Sequence, residues 1–323
     1  MRRKALVIGI DNYPTAPLRG CVNDASAFAA IMETNGNGSP NFEVILRTDV
    51  TTKGQLTDLI QQLFSGESSI ALLYFSGHGF ENDLGTYLVT PDASKSDVGV
   101  SMNDLLVMAN NSKAHNRIII LDCCHSGAVG TSKLTGGAIT SINKGVTILT
   151  SSKEDEASLE VNGRGVFTNL LLDALQGGAA DIKGDITPGS IYAYIDQALG
   201  AWDQRPVFKT NVNEFAQLRK IAPKVSEETL RKIISYFPTA EYEFQLDPSY
   251  EDTNSEDVEH KIVEPYAKPE NIIVFKDLQK FQSVGLVSPI GSPYMYFAAM
   301  ESKSCKLTAL GYHYWRLAKL KRF

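Results

Sequence analysis

Two apolar runs constrain the fold of this chain more than any other feature. Residues 70–75 (IALLYF) and 118–121 (IIIL) lack the alternation of a half-exposed strand. A strand of this kind needs cover on both faces, so each run predicts a central strand of a mostly parallel sheet between two layers of helices. Each run ends at a polar segment, and in open α/β sheets ligands bind at the carboxyl ends of the strands.

Strand-like and helix-like segments alternate from residue 5 to residue 208, as repeated β-α units do. Strands are predicted at 5–10, 43–47, 69–75, 86–90, 117–122 and 145–151. Helices are predicted at 24–34, 52–64, 101–110, 165–176 and 188–200. Asp24 lies at the predicted start of the first helix, where an N-cap residue belongs.

Composition excludes several classes of protein. The net charge of −6 gives the whole molecule no nucleic-acid signature. No apolar stretch has the length of a membrane span, so no membrane partner is predicted. Two of the four cysteines are adjacent, which does not form a disulfide framework and favours a reducing, cytoplasmic setting.

Composition also divides the chain into three parts. We expect a first domain at 1–222, an acidic connecting segment at 223–268 and a small α+β module at 269–323. Within that module a strand is predicted at 294–300, and the pattern Leu-Thr-x-Leu-Gly-x-x-Tyr from residue 307 resembles winged-helix modules. The basic end of the chain favours a solvated helix face, with a protein regulator or a nucleic acid as the alternative partners.

The polar segments after the two apolar runs bring a histidine and a cysteine to one edge of the predicted sheet. They read Ser76-Gly77-His78-Gly79 and Asp122-Cys123-Cys124-His125-Ser126-Gly127. A thiol beside an imidazole can attack a carbonyl, because the imidazole accepts the thiol proton. The backbone N–H groups of Gly79 and Cys124 are the candidates for an oxyanion hole.

Other chemistries lack the residues they need. A cysteine phosphatase would carry an arginine six positions after its cysteine, where this chain has Val129 or Gly130. Adjacent cysteines do not supply the spaced pairs of a zinc site, and there is no phosphate-binding loop. Asp83, Asp92 and Asp97 lack the spacing of a calcium loop, so neither a metal nor a cofactor is predicted, although calcium activation stays open.

The paired motifs resemble those of the caspase-like cysteine peptidases, and most of all the metacaspase and orthocaspase branch. Further similarity lies at 5–13, 18–25, 165–168 and 204–207, so that the resemblance covers residues 1–222. It implies a caspase-like three-layer α-β-α sandwich with a catalytic dyad, in which His78 is the base and Cys124, not Cys123, is the nucleophile. It also favours a prokaryotic source and a regulated role in antiviral defence or cell death.

The same resemblance implies a preference for a basic residue at the substrate's P1 position. In metacaspases the aspartates that match Asp24 and Asp122 line an acidic S1 pocket, and Cys21 and Ser76 match other positions of its wall. Two carboxylates in one pocket bind Arg or Lys and repel Asp. For Asp24 a purely structural role as a helix cap is the alternative.

The sequence therefore predicts a cysteine endopeptidase that cleaves protein substrates after Arg or Lys. Lys133 and Lys144 are candidate sites of self-processing, with Lys133 preferred. The alternative is a caspase-fold scaffold or pseudo-protease that acts through its C-terminal interaction module.

Overall fold

Helices and strands alternate through Met1–Ala222, the first of the two units into which the chain divides. The computed structural model describes residues 2–95, 97–123, 142–151, 160–161, 164–199, 206–252 and 267–323. The elements of the first unit are β1 (Arg3–Gly9), α1 (Cys21–Glu33), β2 (Glu43–Thr48), α2 (Lys53–Phe64), β3 (Ile70–Ser76), β4 (Gly79–Asn82), β5 (Gly85–Val89), β6 (Gly99–Ser101), α3 (Met102–Asn111), β7 (Asn116–Asp122), β8 (Val146–Thr150), β9 (Glu160–Val161), β10 (Arg164–Gly165), α4 (Val166–Asp173), a π-helical turn (Ala174–Gly178), β11 (Asp185–Ile186), α5 (Pro188–Leu199), β12 (Val207–Asn211) and β13 (Arg219–Lys220).

Within the described residues, six strands form the central sheet, in the order β12-β8-β7-β3-β1-β2. Neighbouring strands are parallel except for β12, which runs antiparallel to β8 at the edge. The two apolar runs are β3 and β7, which lie side by side in the middle, and every residue of β3 is buried. The predicted mostly parallel α/β sheet is confirmed.

Helices cover both faces of this sheet, because alternate strand residues point into two separate cores. The core under α2 and α3 includes Leu56, Ile60, Leu73, Phe75 and Leu105. The core under α1, α4 and α5 includes Phe28, Leu72, Tyr74, Leu171 and Ile191. The three-layer α-β-α sandwich follows from these two cores.

The second unit, Pro223–Phe323, has its own small antiparallel sheet. Its elements are α6 (Glu227–Arg231), α7 (Ile233–Tyr236), β14 (Phe244–Gln245), a 3-10 turn (Pro248–Tyr250), α8 (Pro269–Ser283), β15 (Val287–Ile290), α9 (Met295–Met300), β16 (Ser304–Leu307) and α10 (Ala309–Lys319). The strands are ordered β14-β16-β15. The resemblance to winged-helix modules stays a prediction.

Two sequence predictions for this unit are wrong. The acidic segment 223–268 is not a simple linker in its described part, because β14 pairs with β16 and the Trp315 indole donates to the Phe237 carbonyl at 2.6 Å. Residues 294–300 were predicted as a strand, yet residues 295–300 form the helix α9. The buried residues Met295, Ala298 and Ala299 have helical spacing, which decides the local structure.

None of the helices in the described parts of the chain combines the length and the apolar character that a membrane span requires.

Candidate active site

The candidate site lies where three parallel strands end together. Gly9 at the end of β1 neighbours Ser76 at the end of β3, and Ser76 neighbours Asp122 at the end of β7. The chain runs from β1 outward to β2 on one side and then to β3 on the other, so the strand order reverses between β1 and β3. Such a reversal opens a crevice at the carboxyl ends, where α/β proteins bind ligands.

His78 follows β3 by two residues, and its ring is held in one tautomer. Its Nε2 lies 2.7 Å from the carbonyl oxygen of Ala16, in the loop between β1 and α1. A carbonyl can only accept a hydrogen bond, so Nε2 carries the proton and the neutral ring keeps its lone pair on Nδ1. This arrangement leaves Nδ1 as the nitrogen that can accept a proton.

The predicted nucleophile, Cys124, and its neighbour His125 lie outside the described residues, as does Lys133. The preceding residue, Cys123, is buried in the core under α2 and α3. Cys123 therefore packs as a small core residue at the end of β7.

The backbone of Gly79 has the direction that an oxyanion donor needs. Val89 donates its N–H to the His78 carbonyl at 3.0 Å, so His78 and Val89 form a hydrogen-bonded position of the β4-β5 ladder. Hydrogen-bonded and non-hydrogen-bonded pairs alternate in an antiparallel ladder. The next pair, Gly79 with Leu88, is therefore a non-hydrogen-bonded one, and the Gly79 N–H points away from β5.

The structure brings the two predicted pocket carboxylates together around Gly165. The Gly165 N–H donates to Asp24 Oδ2 at 3.2 Å. A Cβ at position 165 would lie 3.0 Å from Asp122 Oδ2 and 3.4 Å from Asp24 Oδ2. Glycine leaves room for this approach, because a Cβ would be in tight contact with both oxygens, so two carboxylates from distant parts of the chain share one small space.

Cys21 and Ser76 complete this group of predicted residues. Burial raises the pKa of the Cys21 thiol to about 12, a hydrogen bond with the Ser76 side chain lowers it, and the nearby carboxylates Asp11, Asp122 and Asp24 raise it. The thiol is therefore neutral at physiological pH, which suits a pocket wall and not a nucleophile.

A buried hydroxyl pair holds Asp122 in place, and the sequence analysis missed it. Thr168 Oγ1 donates to Asp122 Oδ2 at 2.6 Å, so the Tyr74 hydroxyl, also 2.6 Å from Thr168 Oγ1, is the donor in that second contact. Tyr74 and Thr168 are both fully buried. Residues 165–168 (GVFT) carried part of the family resemblance, yet nothing local in that segment assigns a role to its threonine.

Asp24 is not the N-cap of the first helix. Helix α1 begins at Cys21, and Asp24 lies inside its first turn with its carboxylate directed to Gly165. The capping role belongs to Asp11, whose carboxylate accepts from the N–H of Cys21 at 2.9 Å and from that of Val22 at 3.4 Å. The cap comes from ten residues upstream, so the local pattern could not identify it.

The remaining candidates lie elsewhere. Lys144 is exposed, but its carbonyl accepts from Arg117 Nη2 at 2.8 Å just before β8. Asp92 accepts from the Lys53 backbone N–H, and Asp97 forms an ion pair with the Lys53 ammonium at 2.8 Å. The Asp97 carboxylate, one of the three candidate calcium ligands, is thus paired with the Lys53 ammonium group.

A comparison with the sequence profiles of protein families agrees with this architecture. A three-layer α-β-α sandwich with a histidine after β3 and a cysteine motif after β7 defines the class of caspase-like cysteine peptidase folds. The sequence profile of the caspase domain matches residues 2–222, and the chain belongs to this family.

The solved structures that are similar to this chain include the following two. Caspase-1 from Spodoptera frugiperda has 13% identity and a TM-score of 0.49, and the match covers 68% of this chain and 90% of that one. The structure of pro-sf-caspase-1 has 14% identity and a TM-score of 0.45, covering 68% of this chain and 94% of that one. A search of curated proteins gives no match.

Proposed function

We propose that this protein is a cysteine endopeptidase that cleaves after Arg or Lys. The observation that carries the proposal is the convergence of the Asp24 and Asp122 carboxylates at the end of β7, two residues before Cys124. A guanidinium or ammonium group that enters this space meets two negative charges, whereas an acidic P1 side chain is repelled.

The chemistry assigns one task to each group. The Cys124 thiol gives its proton to Nδ1 of His78, and its sulfur attacks the carbonyl carbon of the scissile bond. The N–H groups of Gly79 and Cys124 bind the oxyanion of the tetrahedral intermediate. His78 then returns the proton to the leaving nitrogen as the C–N bond breaks, and water hydrolyses the thioester.

The pocket favours a charged ligand because its carboxylate is prearranged. Thr168 donates to one oxygen of Asp122, which fixes the plane of the carboxylate before substrate binds. Prearranged acceptors lose little conformational entropy on binding, so the ion pair with a P1 arginine is stronger than one formed by a free aspartate.

Self-processing after Lys144 is disfavoured by the backbone around that bond. The Lys144 carbonyl accepts from the buried Arg117, and the Gly145 N–H donates to the Asn211 carbonyl at 2.6 Å. Both groups of the scissile peptide would have to leave these partners to enter an active site. Lys133 is therefore the preferred candidate for self-processing.

A panel of fluorogenic peptides with Arg, Lys, Asp or Leu at P1 tests the proposal, with and without calcium. We expect cleavage only after Arg and Lys. Cleavage confined to Asp or Leu would reject the acidic pocket.

Cys124→Ala separates the peptidase from a scaffold. If the protein is a peptidase, the Cys124→Ala variant loses all cleavage. Cys305→Ala is the control and should keep cleavage, because Cys305 is buried in the second unit. An unchanged biological effect of Cys124→Ala in cells, together with a wild type that cleaves no peptide, would favour the scaffold alternative.

A further inference from the structure

We propose that Tyr13 is a positioning residue for His78, an inference that rests on the proposed function. Tyr13 lies in the loop between β1 and α1 and is 6% exposed. Its hydroxyl group takes the place of one backbone hydrogen bond between His78 and Val89. His78 is the residue immediately before β4, at the start of the β4-β5 ladder.

The hydrogen bonds around His78 show that its N–H does not donate directly to the Val89 carbonyl. In a hydrogen-bonded antiparallel pair each residue donates its N–H to the carbonyl of the other. Val89 donates to the His78 carbonyl at 3.0 Å, but the His78 N–H donates to the Tyr13 hydroxyl at 3.0 Å. The Tyr13 hydroxyl in turn donates to the Val89 carbonyl at 3.2 Å. The phenol is thus inserted between the two backbone groups that would otherwise pair directly.

The same tyrosine also contacts the imidazole ring. The Tyr13 and His78 ring centroids are 4.5 Å apart in an edge-on arrangement, with an interplanar angle of 62°. A Cβ at position 77 would lie 2.6 Å from the Tyr13 oxygen, so Gly77 leaves the room that the hydroxyl occupies. Backbone and ring of His78 are therefore located by one side chain.

The loop between β1 and α1 holds both the backbone N–H and the ring Nε2 of His78. Ala16, whose carbonyl fixes Nε2, stands three residues after Tyr13. The loop is tied back on itself, because the N–H groups of Tyr13 and Leu18 both donate to the Asp11 carbonyl at 2.9 Å. Displacement of Tyr13 therefore moves the backbone of His78 relative to the carbonyl that sets its tautomer.

The phenol keeps its proton throughout the working range of pH. Burial raises the pKa of Tyr13 above its ordinary value, and the hydrogen bond from the His78 backbone only partly offsets this effect. The donor to the Val89 carbonyl is thus present at every pH at which the peptidase would be assayed.

Tyr13→Phe tests the inference, because it keeps the ring and removes the hydroxyl. We expect kcat on a P1 Arg peptide to fall about 10-fold, with KM within about 2-fold, because positioning affects the chemical step more than binding. Tyr192→Phe is the control, since Tyr192 is a half-buried tyrosine of α5 that stacks on Phe208. An unchanged kcat in Tyr13→Phe, or an equal fall in the control, overturns the inference.

Two measurements keep the test independent of peptidase activity. Hydrogen exchange at the His78 amide should be about 10-fold faster in Tyr13→Phe, because the amide loses its acceptor. The ¹⁵N shifts of the His78 ring should show loss of the single Nε2-protonated tautomer. A wild type that cleaves no peptide rejects the proposed function, whereas unchanged exchange and ring shifts in the variant reject the role of Tyr13.

Discussion

At the scale of single residues, the predicted pocket depends on groups that do not touch a substrate. Thr168 is fully buried and connects Asp122 to the Tyr74 hydroxyl. The carboxylate of Asp122 is therefore oriented from behind, by a helix that begins immediately after Gly165. Specificity in such a pocket is shared between the charged residue and the hydroxyl that holds it.

Thr168→Val preserves the shape of the side chain and removes its hydroxyl. The Tyr74 hydroxyl then loses a buried partner, so we expect unfolding to be easier by about 2 kcal/mol. We also expect KM for a P1 Arg peptide to rise several-fold, because Asp122 loses its orienting donor. Urea unfolding and peptide kinetics measure both effects. Thr168→Ser is the control, because it keeps the hydroxyl and should have a stability and a KM close to those of the wild type. A valine variant with wild-type KM would contradict the role of the hydroxyl.

Cys21 predicts a dependence of stability on alkaline pH. Its folded-state pKa is about 12 against an ordinary value of 9.0, so the unfolded chain releases this proton first. Stability is complete below pH 9 and declines as the pH rises toward 12, by about 1 kcal/mol at pH 10. Cys21→Ser should remove this part of the decline in urea unfolding at pH 8 and pH 10. Equal slopes in wild type and variant would show that the thiol is not desolvated.

At the scale of elements, the sequence predicts best where cover on both faces leaves a continuous apolar run. Strands β3 and β7 were found because both faces are covered, which makes their central positions 70–75 and 118–121 apolar. The start of α1 was misplaced because its cap, Asp11, lies ten residues earlier. The strand predicted at 294–300 was wrong because Tyr294, Tyr296 and Phe297 favour strands locally, whereas burial at helical spacing prevails in α9.

The residues of the candidate site also fall into those that the sequence predicted and those that it did not. The motifs identified His78, Asp24, Asp122, Cys21 and Ser76, and the fold brings the last four together. Tyr13 and Thr168 carried no assigned role, because each acts through tertiary hydrogen bonds to residues 65 and 46 positions away. Spacing in the sequence holds no information about such contacts.

Arg117 is the clearest case of an element held by one side chain. It is buried near the start of β7 and donates to four carbonyls, those of Ala109, Ala114, His115 and Lys144. Arg117→Met leaves these acceptors without their donor, and we expect a loss of about 3 kcal/mol in urea unfolding. The exposed Arg47→Met is the control. Because Arg117 lies at the end of β7 opposite to Asp122, a large change in kcat of the folded variant would contradict this view.

At the scale of the whole molecule, each unit has its own buried residues. Phe237, Phe275 and Phe281 are fully buried in the second unit, and the strand β14 from the acidic segment completes its sheet. The overall acidity of residues 241–264 concealed this organisation, since in the described part of this segment Leu246 is buried between the acids. Average composition over a window does not show which side of a segment is buried.

Trp315→Phe tests whether the second unit is stabilised separately. The variant loses the hydrogen bond to the Phe237 carbonyl, so we expect the calorimetric transition of this unit to fall by about 5–10 °C. The exposed Tyr312→Phe should leave it unchanged. The temperature at which peptidase activity is lost should also stay the same, and an equal fall in that temperature would show that the two units unfold together.

A double-mutant cycle tests whether Asp122 binds a positively charged P1 side chain. The four values of kcat/KM are those of wild type and Asp122→Asn on peptides with P1 Arg or its neutral isostere citrulline. We predict a preference of wild type for Arg that falls by about 30-fold in Asp122→Asn, or a coupling of about 2 kcal/mol. Asp58→Asn, on the exposed side of α2, should leave that preference unchanged. A cycle with no coupling would show that Asp122 does not bind the charge of the P1 side chain.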